Sequence, residues 1–368
     1  MSTDQQEEDS TAHPRAASQL IGHSAAEQAL LAAHESGRLH HGWLIAGPRG
    51  IGKASLAYRF ARYLLNDAQP KAAAGLFADD AAESGLEVDS ESHVFRQVAA
   101  GSHPDLLAIE RGFDPRRKRW REEIVVGDVR EMGGFLSLTP AMGGWRVVIV
   151  DAADEMNRNA ANAILKLLEE PPSRAIVLLV SHHPGRLLPT IRSRCRQLLL
   201  QPLSDQQVSD LLATARPDID GSEHAALVTL GNGSIGQAIT LADAGGIAVY
   251  QQMIDVLADA PRFDTRRLYK LADDWSRSPR DGNGGVFDMA TAMLLDWLEQ
   301  VIRAAAGGPP LRPIIDQEAD IAARLLGRHN VVEWLNRYAA IDGLFRRGKA
   351  VNLDKRQMIL SAFFKLTE

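Results

Sequence analysis

The sequence predicts an α/β domain with a parallel sheet, followed by domains that are built from helices alone. Short apolar runs alternate with helical patterns up to about residue 200, and no strand pattern follows that point. Strands that are apolar throughout are typical of a parallel sheet whose two faces are both covered by helices. The chain has 368 residues, of which 45% are hydrophobic, so it is long enough for two or three cored domains.

The individual elements follow from the same patterns. Helical spacing predicts helices over residues 25–36 and 53–66, and the apolar run between them predicts a buried strand over 42–46. A strand is predicted at 104–110, then a charged hairpin or loop at 111–127 and a helix that follows Asp128 and ends near Pro140. Next come a strand at 147–150, a helix from 157 that is closed by Pro171, and a strand at 175–181. A short helix before Cys195 and a fifth strand at 196–202 complete the domain.

These elements suggest a division of the chain into a leader and three domains. We expect a flexible polar leader at 1–18, the α/β domain at 19–200, a small helical domain at 201–247 and a larger helical domain at 248–368. Residues 67–100 are rich in small and polar residues and are interpreted as a surface insertion of the α/β domain.

Composition excludes several classes of protein. The net charge of −6 argues against a protein that binds DNA on its own, although one basic face remains compatible with it. The basic run at 116–121 is interpreted either as a DNA contact or as a solvated hairpin tip. The single cysteine, Cys195, excludes internal disulfides and a multi-cysteine zinc site, and it fits a reducing cytoplasm. Neither a membrane span nor a signal peptide is predicted.

A phosphate-binding loop is predicted between the first strand and the helix after it. Gly47, Gly50, Gly52 and Lys53 have the required spacing. Glycines let backbone N–H groups turn toward phosphate oxygens, and the positive end of the following helix favours an anion. Asp151 ends the strand at 147–150, at the position of a Mg²⁺ ligand. The alternative interpretation is a loop that only connects a strand to a helix.

Two groups needed for hydrolysis are missing from this predicted site. Ala54 stands where a Ser or Thr would supply the hydroxyl that binds Mg²⁺, and Ser55 is rotated by about 100° around the helix. Ala152 follows Asp151 where many such ATPases have a glutamate that orients the attacking water. Asp154 and Glu155 are interpreted as helix-capping residues. The sequence therefore predicts slow ATP turnover or none.

The chain resembles the clamp-loader family of AAA+ proteins in bacterial DNA polymerase III. The resemblance rests on "GRLHHGWLIAGPRGIGKASLAYRFA", "GSHPDLLAIER", "VVIVDAADEMNRNAANAILKLLEEPP" and "LLPTIRSRC", and it covers about residues 20–200. It implies an α/β P-loop (AAA+) domain with a parallel sheet, followed by an all-α lid domain and an all-α collar domain. Many relatives carry a zinc module held by cysteines. This chain lacks those cysteines, so we expect no zinc.

The resemblance also implies roles for particular residues. It assigns to Arg194 the part of an arginine finger, which reaches the ATP site of a neighbouring subunit in trans; Arg192 and Ser193 are weaker candidates, and a structural ion pair is the alternative. Gly236 replaces an arginine that working loader ATPases carry in the lid. Gly47, Gly50, Gly52, Lys53 and Asp151 would then form a degenerate nucleotide site that permits weak ATP or ADP binding and requires no cofactor.

The resemblance finally implies a cytoplasmic replication protein. The expected partners are gamma/tau-type ATPase subunits and the delta subunit, with the sliding clamp and primed DNA reached through the complex and no membrane involved. The alternative is that the chain is itself an ATP-hydrolysing gamma/tau-type subunit, or a weak AAA+ ATPase. Lys53 and Asp151 favour this alternative, while Ala54, Ala152 and Gly236 oppose it.

Overall fold

A computed structural model describes residues 13–67, 85–114, 119–277, 285–327 and 330–367. The described residues divide into two compact units. The first unit comprises the residues up to Gln207 together with Gly233–Gly236, and the second comprises Val208–Asn232 and the residues from Gln237 onward. The finer predicted division of the helical part at residue 247 stays a prediction.

The first unit contains a five-stranded parallel sheet, as the apolar runs predict. Its strands are β1 (Gly42–Ala46), β2 (Leu106–Ile109), β5 (Arg146–Val150), β6 (Ala175–Ser181) and β7 (Arg196–Leu199), in the spatial order β2-β5-β6-β1-β7. The short strands β3 (Phe113–Asp114) and β4 (Arg119–Trp120) pair antiparallel, which confirms a hairpin within 111–127. Residues 115–118 lie outside the described residues, so the two interpretations of the basic run at 116–121 stay predictions.

Helices cover both faces of this sheet. They are α1 (Ser24–Glu35), α2 (Lys53–Asp67), α3 (His93–Ala99), α4 (Val126–Ser137), α5 (Arg158–Glu169) and α6 (Pro189–Arg194). Alternate residues of β1 point to opposite faces, so Trp43 and Ile45 pack with α1 to α3 while Leu44 and Ala46 pack with α4 to α6. Every residue of β1, β5 and β6 is buried, which explains why their sequences are largely apolar.

Three local expectations differ from the structure. Helix α4 begins at Val126 rather than after Asp128, because the Asp128 carboxylate lies within its first turn and accepts a hydrogen bond from the Val125 N–H (2.9 Å). Asp154 and Glu155 cap no α-helix; Asn157 caps α5 by accepting from the Ala160 N–H (2.9 Å). The predicted leader extends to residue 18, yet residues 13–18 lie against α2, whose Arg62 donates to the carbonyls of Arg15 (2.8 Å) and Ala17 (2.6 Å).

The second unit is helical throughout its described part. Its helices are α7 (Asp205–Ala215, which begins in the first unit), α8 (Gly221–Gly231), α9 (Ile235–Asp243, likewise), α10 (Gly246–Leu257), α11 (Thr265–Ser276), α12 (Val286–Ala305), α13 (Glu318–Leu326), α14 (Val331–Ala350) and α15 (Lys355–Lys365). Trp275, Trp297 and Trp334 are all buried in it. None of the described helices is long and apolar enough to cross a membrane.

Candidate nucleotide-binding site

The sheet topology brings the predicted site residues to one edge. The loop that contains Lys53 follows β1, Asp151 follows β5, and His182 follows β6, which lies between those two strands. Because the three strands are parallel, their carboxyl ends meet at the same edge, where ligands of open α/β sheets bind. A cleft of about 220 Å³ lies here; it is lined by Arg49, Glu110, Arg111, Asp151, Ala152, Glu155 and His182.

Glycine is required at two positions of the loop after β1. Gly47 has a φ of 152°, and a Cβ atom there would lie 2.6 Å from the carbonyl oxygen of Leu200. Gly52 has a φ of 100°, a conformation that residues with side chains rarely adopt. The glycines predicted from spacing alone therefore shape the backbone as a phosphate-binding loop demands.

Four consecutive carbonyls of the loop, at residues 48–51, each accept a hydrogen bond from the protein. The donors, in order, are the Lys53 ammonium, the Ser234 hydroxyl (2.8 Å), the Gly236 N–H (2.9 Å) and the His23 Nε2–H (2.6 Å). These contacts hold the four carbonyl groups against neighbouring donors of the protein. Among the described residues, none accepts a hydrogen bond from the N–H groups of Gly50, Ile51 or Gly52. This arrangement is compatible with the predicted phosphate-binding loop, in which N–H groups face an anion.

The Lys53 ammonium is held by the loop itself. Its side chain is buried and donates to the Pro48 carbonyl. Burial lowers the pKa of Lys53 to about 8, although the nearby carboxylates of Asp151 and Asp154 partly oppose this shift. The lysine therefore carries its charge at neutral pH at an energetic cost that a bound phosphate would reduce.

Asp151 lies at the end of β5 as predicted, beside a second carboxylate that sequence reasoning missed. Burial raises the pKa of Asp151, and the proximity of Glu110 raises it further. Glu110 contacts His13 (3.2 Å), and the Tyr58 hydroxyl donates to it (3.4 Å). The sequence signal was available, because Glu110 directly follows β2 at the same edge of the sheet.

The two acidic residues that follow Ala152, Asp154 and Glu155, both make structural contacts. Asp154 accepts hydrogen bonds from the N–H groups of His182 (2.8 Å) and His183 (3.1 Å), and so fixes the backbone just beyond β6. Glu155 forms an ion pair with Arg111 (2.7 Å). Neither carboxylate replaces the expected water-orienting glutamate, whose position Ala152 occupies.

Gly236 packs directly on the loop. Besides donating to the Gly50 carbonyl, it approaches so closely that a Cβ atom would lie 2.8 Å from Gly50 Cα. A side chain at this position requires the backbone to shift, since the neighbouring atoms belong to the main chain. The position where the family resemblance implies a missing arginine is therefore occupied by a backbone contact.

The donor set does not fit a Mg²⁺–nucleotide complex in full. Ala54 offers no oxygen, Ala152 offers no carboxylate, and Asp151 is disfavoured as an anion by burial. Within the described residues, no group of three His, Cys, Asp or Glu side chains is arranged to hold a metal ion. The loop and Lys53 fit the predicted phosphate site, whereas the groups that would bind metal and orient water are incomplete.

Arg194 lies apart from this cleft, at the end of α6. About a third of its side chain is exposed (36%), and its guanidinium forms an ion pair with Glu169 (2.7 Å) and donates to the Thr190 carbonyl (3.0 Å). The ion pair is the alternative interpretation of Arg194, and it coexists with an exposure that permits contact with another molecule. Ser193 donates to the same Thr190 carbonyl (3.1 Å).

Sequence comparisons agree with this geometry. Residues 22–204 match the family described as DNA polymerase III, delta subunit. The chain is 36% identical over 242 residues to the DNA polymerase III subunit delta' of Pseudomonas aeruginosa, covering 65% of this chain and 66% of that protein. It is 34% identical over 216 residues to the corresponding subunit of Escherichia coli, covering 58% and 57%.

A DNA polymerase III subunit of another type is also similar. The tau/gamma subunit of Haemophilus influenzae is 31% identical over 235 residues, which cover 62% of this chain and 31% of that protein. The chain thus spans just under two thirds of the first relative and a smaller share of the others. These similarities show that the chain belongs to the DNA polymerase III delta-subunit family, whose model matches about half of it.

Proposed function

We propose that the chain is a delta-prime-like subunit of a DNA polymerase III clamp loader, the complex that places a sliding clamp on primed DNA. The identities of 36% and 34% to delta-prime subunits, against 31% to a tau/gamma subunit, support this assignment. Its partners in the complex are gamma/tau-type ATPase subunits and a delta subunit, and it meets the clamp and primed DNA through them.

Within that complex the chain is a pseudo-ATPase. The contact of Gly236 with Gly50 is the observation that carries this part of the proposal, because it fills with backbone the place of a catalytic arginine. Ala54 and Ala152 remove the hydroxyl for Mg²⁺ and the carboxylate for water. Each loss alone slows hydrolysis. Together they leave the site without a hydroxyl for Mg²⁺, a carboxylate that orients water or an arginine that stabilises the transition state.

Weak binding of ATP or ADP is compatible with the same site and is not required for the role. The loop N–H groups and Lys53 provide a binding surface for phosphates. Asp151 remains as a single carboxylate, which by itself supplies only one of the ligands that Mg²⁺ needs. Nucleotide would therefore bind through its phosphates with little dependence on Mg²⁺.

The chemical contribution of the chain is Arg194, given to the ATP site of a neighbouring gamma/tau-type subunit. A guanidinium keeps its charge at all physiological pH values and presents paired donors to phosphate oxygens. Fingers that act in trans raise hydrolysis rates by about 10³–10⁵ in other NTPases. The exposure of Arg194 at the end of α6 supports this role.

Reconstitution with the ATPase and delta subunits tests both parts. The purified chain should hydrolyse ATP no faster than a Lys53→Ala variant, and brisk Mg²⁺-dependent turnover would refute the pseudo-ATPase. Arg194→Ala should lower hydrolysis about tenfold or more at the one ATP site that it completes, with assembly unchanged by gel filtration. Arg186→Ala is the matched control, because it removes an exposed arginine from the turn Pro184–Arg186 near α6.

The competing function is that of an ATP-hydrolysing subunit. Lys53 and Asp151 at the expected positions favour it, and the tau/gamma similarity is compatible with it. The same measurement discriminates the two, since a hydrolysing subunit loses its own turnover in Lys53→Ala while a pseudo-ATPase has none to lose.

A further inference from the structure

Two exposed, oppositely charged side chains meet where helices α5 and α6 both end. The Glu169 carboxylate lies 2.7 Å from Arg194 Nη2, and the two side chains are 48% and 36% exposed. Glu169 is the last residue of α5, and Arg194 is the last residue of α6. Neither the sequence patterns nor the proposed function assigns a role to Glu169.

The backbone beneath this pair is firmly positioned. The His41 Nε2–H donates to the carbonyl of Leu168 (2.8 Å), the residue before Glu169. Leu168 and Cys195, the residue after Arg194, are both buried. A Cβ atom at Gly42 would lie 3.1 Å from Leu168 Cδ2 and 3.3 Å from Cys195 Sγ, so the start of β1 packs tightly against both helix ends. The two charged side chains therefore project from fixed points, and their contact does not depend on a mobile segment.

In this conformation, contacts within the chain occupy the Arg194 nitrogens that would otherwise bind a phosphate. Arg194 Nη1 donates to the Thr190 carbonyl (3.0 Å) and Nη2 contacts Glu169. A guanidinium binds phosphate most favourably through two parallel N–H groups. A carboxylate beside the guanidinium neutralises its charge and would repel a phosphate that approached the same group. Contact with Glu169 and full contact with a phosphate are therefore competing states of Arg194.

We propose that Glu169 is the resting partner of Arg194: it holds the guanidinium in the isolated chain and releases it to the phosphates of a nucleotide bound by a neighbouring subunit. The inference rests on the proposed function of Arg194. It makes Glu169 a positioning residue, because the carboxylate acts only through the arginine. Ion pairs between exposed side chains are weak, so the contact is readily exchanged for a phosphate.

The isolated chain tests the contact without reference to any activity. Arg194 is labelled with phenylglyoxal, a dicarbonyl reagent for arginine, and the labelled peptide is quantified by mass spectrometry. Glu169→Gln should raise the rate of labelling about 1.4- to 5-fold, which is the range expected when an exposed ion pair is lost. Glu170→Gln is the matched control, since this neighbour is exposed and forms no ion pair within the described residues. Equal rates in wild type and Glu169→Gln would overturn the proposal.

The reconstituted loader tests the release. Glu169→Gln should lower the KM for ATP in clamp- and DNA-stimulated hydrolysis about 1.4- to 5-fold with kcat unchanged, because only the competition for Arg194 is removed. In the Arg194→Ala background the same change should have no effect. A fall in kcat in Glu169→Gln would overturn the proposal, since it would mean that the carboxylate orients the finger while it acts.

The two readouts separate the inference from the proposed function. Faster labelling of the isolated Glu169→Gln chain, together with a loader whose rate is insensitive to Arg194→Ala, would overturn the finger and the release while leaving the resting contact in place. Slower hydrolysis in Arg194→Ala together with unchanged labelling in Glu169→Gln would uphold the finger and overturn the role of Glu169.

Discussion

The Gly236 N–H donates to the Gly50 carbonyl at 2.9 Å, and no room for a side chain remains between the two residues. This contact joins the position where the family resemblance implies a missing arginine to the predicted phosphate-binding loop. The neighbouring Ser234 hydroxyl binds the Arg49 carbonyl in the same way. The loop is thus held by hydrogen-bond donors of residues 234 and 236.

Gly236→Ala should destabilise the chain by about 1–3 kcal/mol, because the added methyl group meets backbone atoms that cannot move independently. The measurement is the free energy of unfolding in urea. Gly134→Ala is the control: this glycine lies in α4, and no atom lies within 4 Å of the position that its methyl group would take, so alanine there should stabilise the helix by about 0.5–1 kcal/mol. If the two variants unfold alike, the close approach has no energetic consequence.

Replacement of the carboxylate should cost more stability at Asp154 than at Asp151. Asp154→Ala should cost about 1–3 kcal/mol, because its nearly inaccessible carboxylate accepts from the N–H groups of His182 and His183. Asp151→Asn should cost less than about 1 kcal/mol, since burial already raises the pKa of Asp151 and so disfavours its anion. Urea unfolding at pH 7 measures both. A larger loss in Asp151→Asn than in Asp154→Ala would contradict this assignment of roles.

The sequence predicted the sheet and the loop because both depend on local patterns. The strands around Leu44 and Val148 are buried on both faces, so their apolar runs need no knowledge of distant residues. Lys53 and Asp151 were found because their positions relative to a strand are fixed by the topology. Asp154 could not be interpreted in this way, because its partners lie 28 and 29 residues further along the chain.

The same limit explains the other features that the sequence left open. The absence of an arginine at Gly236 was visible, but its contact with Gly50 joins residues that are far apart in the chain. Glu169 stood inside a recognised motif, yet only the convergence of two helix ends brings it to Arg194. Side-chain contacts across the fold carry no local signal, so they require coordinates.

His182 should make the stability of the protein sensitive to acid. Burial lowers the pKa of His182 to about 4, with the charge of Lys53 as a further cause, whereas an unfolded histidine titrates near 6.5. Between these values the unfolded chain binds a proton that the folded chain does not, so stability is lost as the pH falls from 6.5 to 4. The full shift corresponds to about 3 kcal/mol, and because the ring is partly exposed we expect about 1–2 kcal/mol.

His182→Gln removes this proton linkage and leaves the backbone N–H that binds Asp154. The free energy of unfolding of wild type and variant is compared at pH 7.5 and at pH 4.5. The difference between them should change in favour of the variant by about 1–2 kcal/mol at the lower pH. Parallel pH profiles would show that the imidazole is as free to accept a proton in the folded chain as in the unfolded one.

Glu318 is a buried polar residue of the helical unit, and even the conservative change to glutamine should destabilise the protein. Its fully buried carboxylate accepts from the N–H groups of Ile314 and Ile315 (2.7 Å each) through Oε1, and from the Tyr250 hydroxyl (2.7 Å) and the Trp297 Nε1–H (3.2 Å) through Oε2. Burial and this carboxylate raise the pKa of Tyr250, so its hydroxyl stays protonated as a donor. Glu318→Gln replaces one acceptor oxygen with an amide that donates, and two of the four donors then lose their partner.

We therefore expect Glu318→Gln to destabilise the helical unit by about 3 kcal/mol, from two buried donors left unpaired at about 1–3 kcal/mol each. Glu299→Gln is the control on α12, where the exposed Glu299 pairs with Arg303 one helical turn on; its loss should cost at most about 0.5 kcal/mol. Urea unfolding followed by tryptophan fluorescence reports on both, since Trp297 touches Glu318 directly. If the two variants unfold at the same urea concentration, the buried carboxylate contributes no more than a surface pair, and apolar packing around Trp297 must hold these helices together instead.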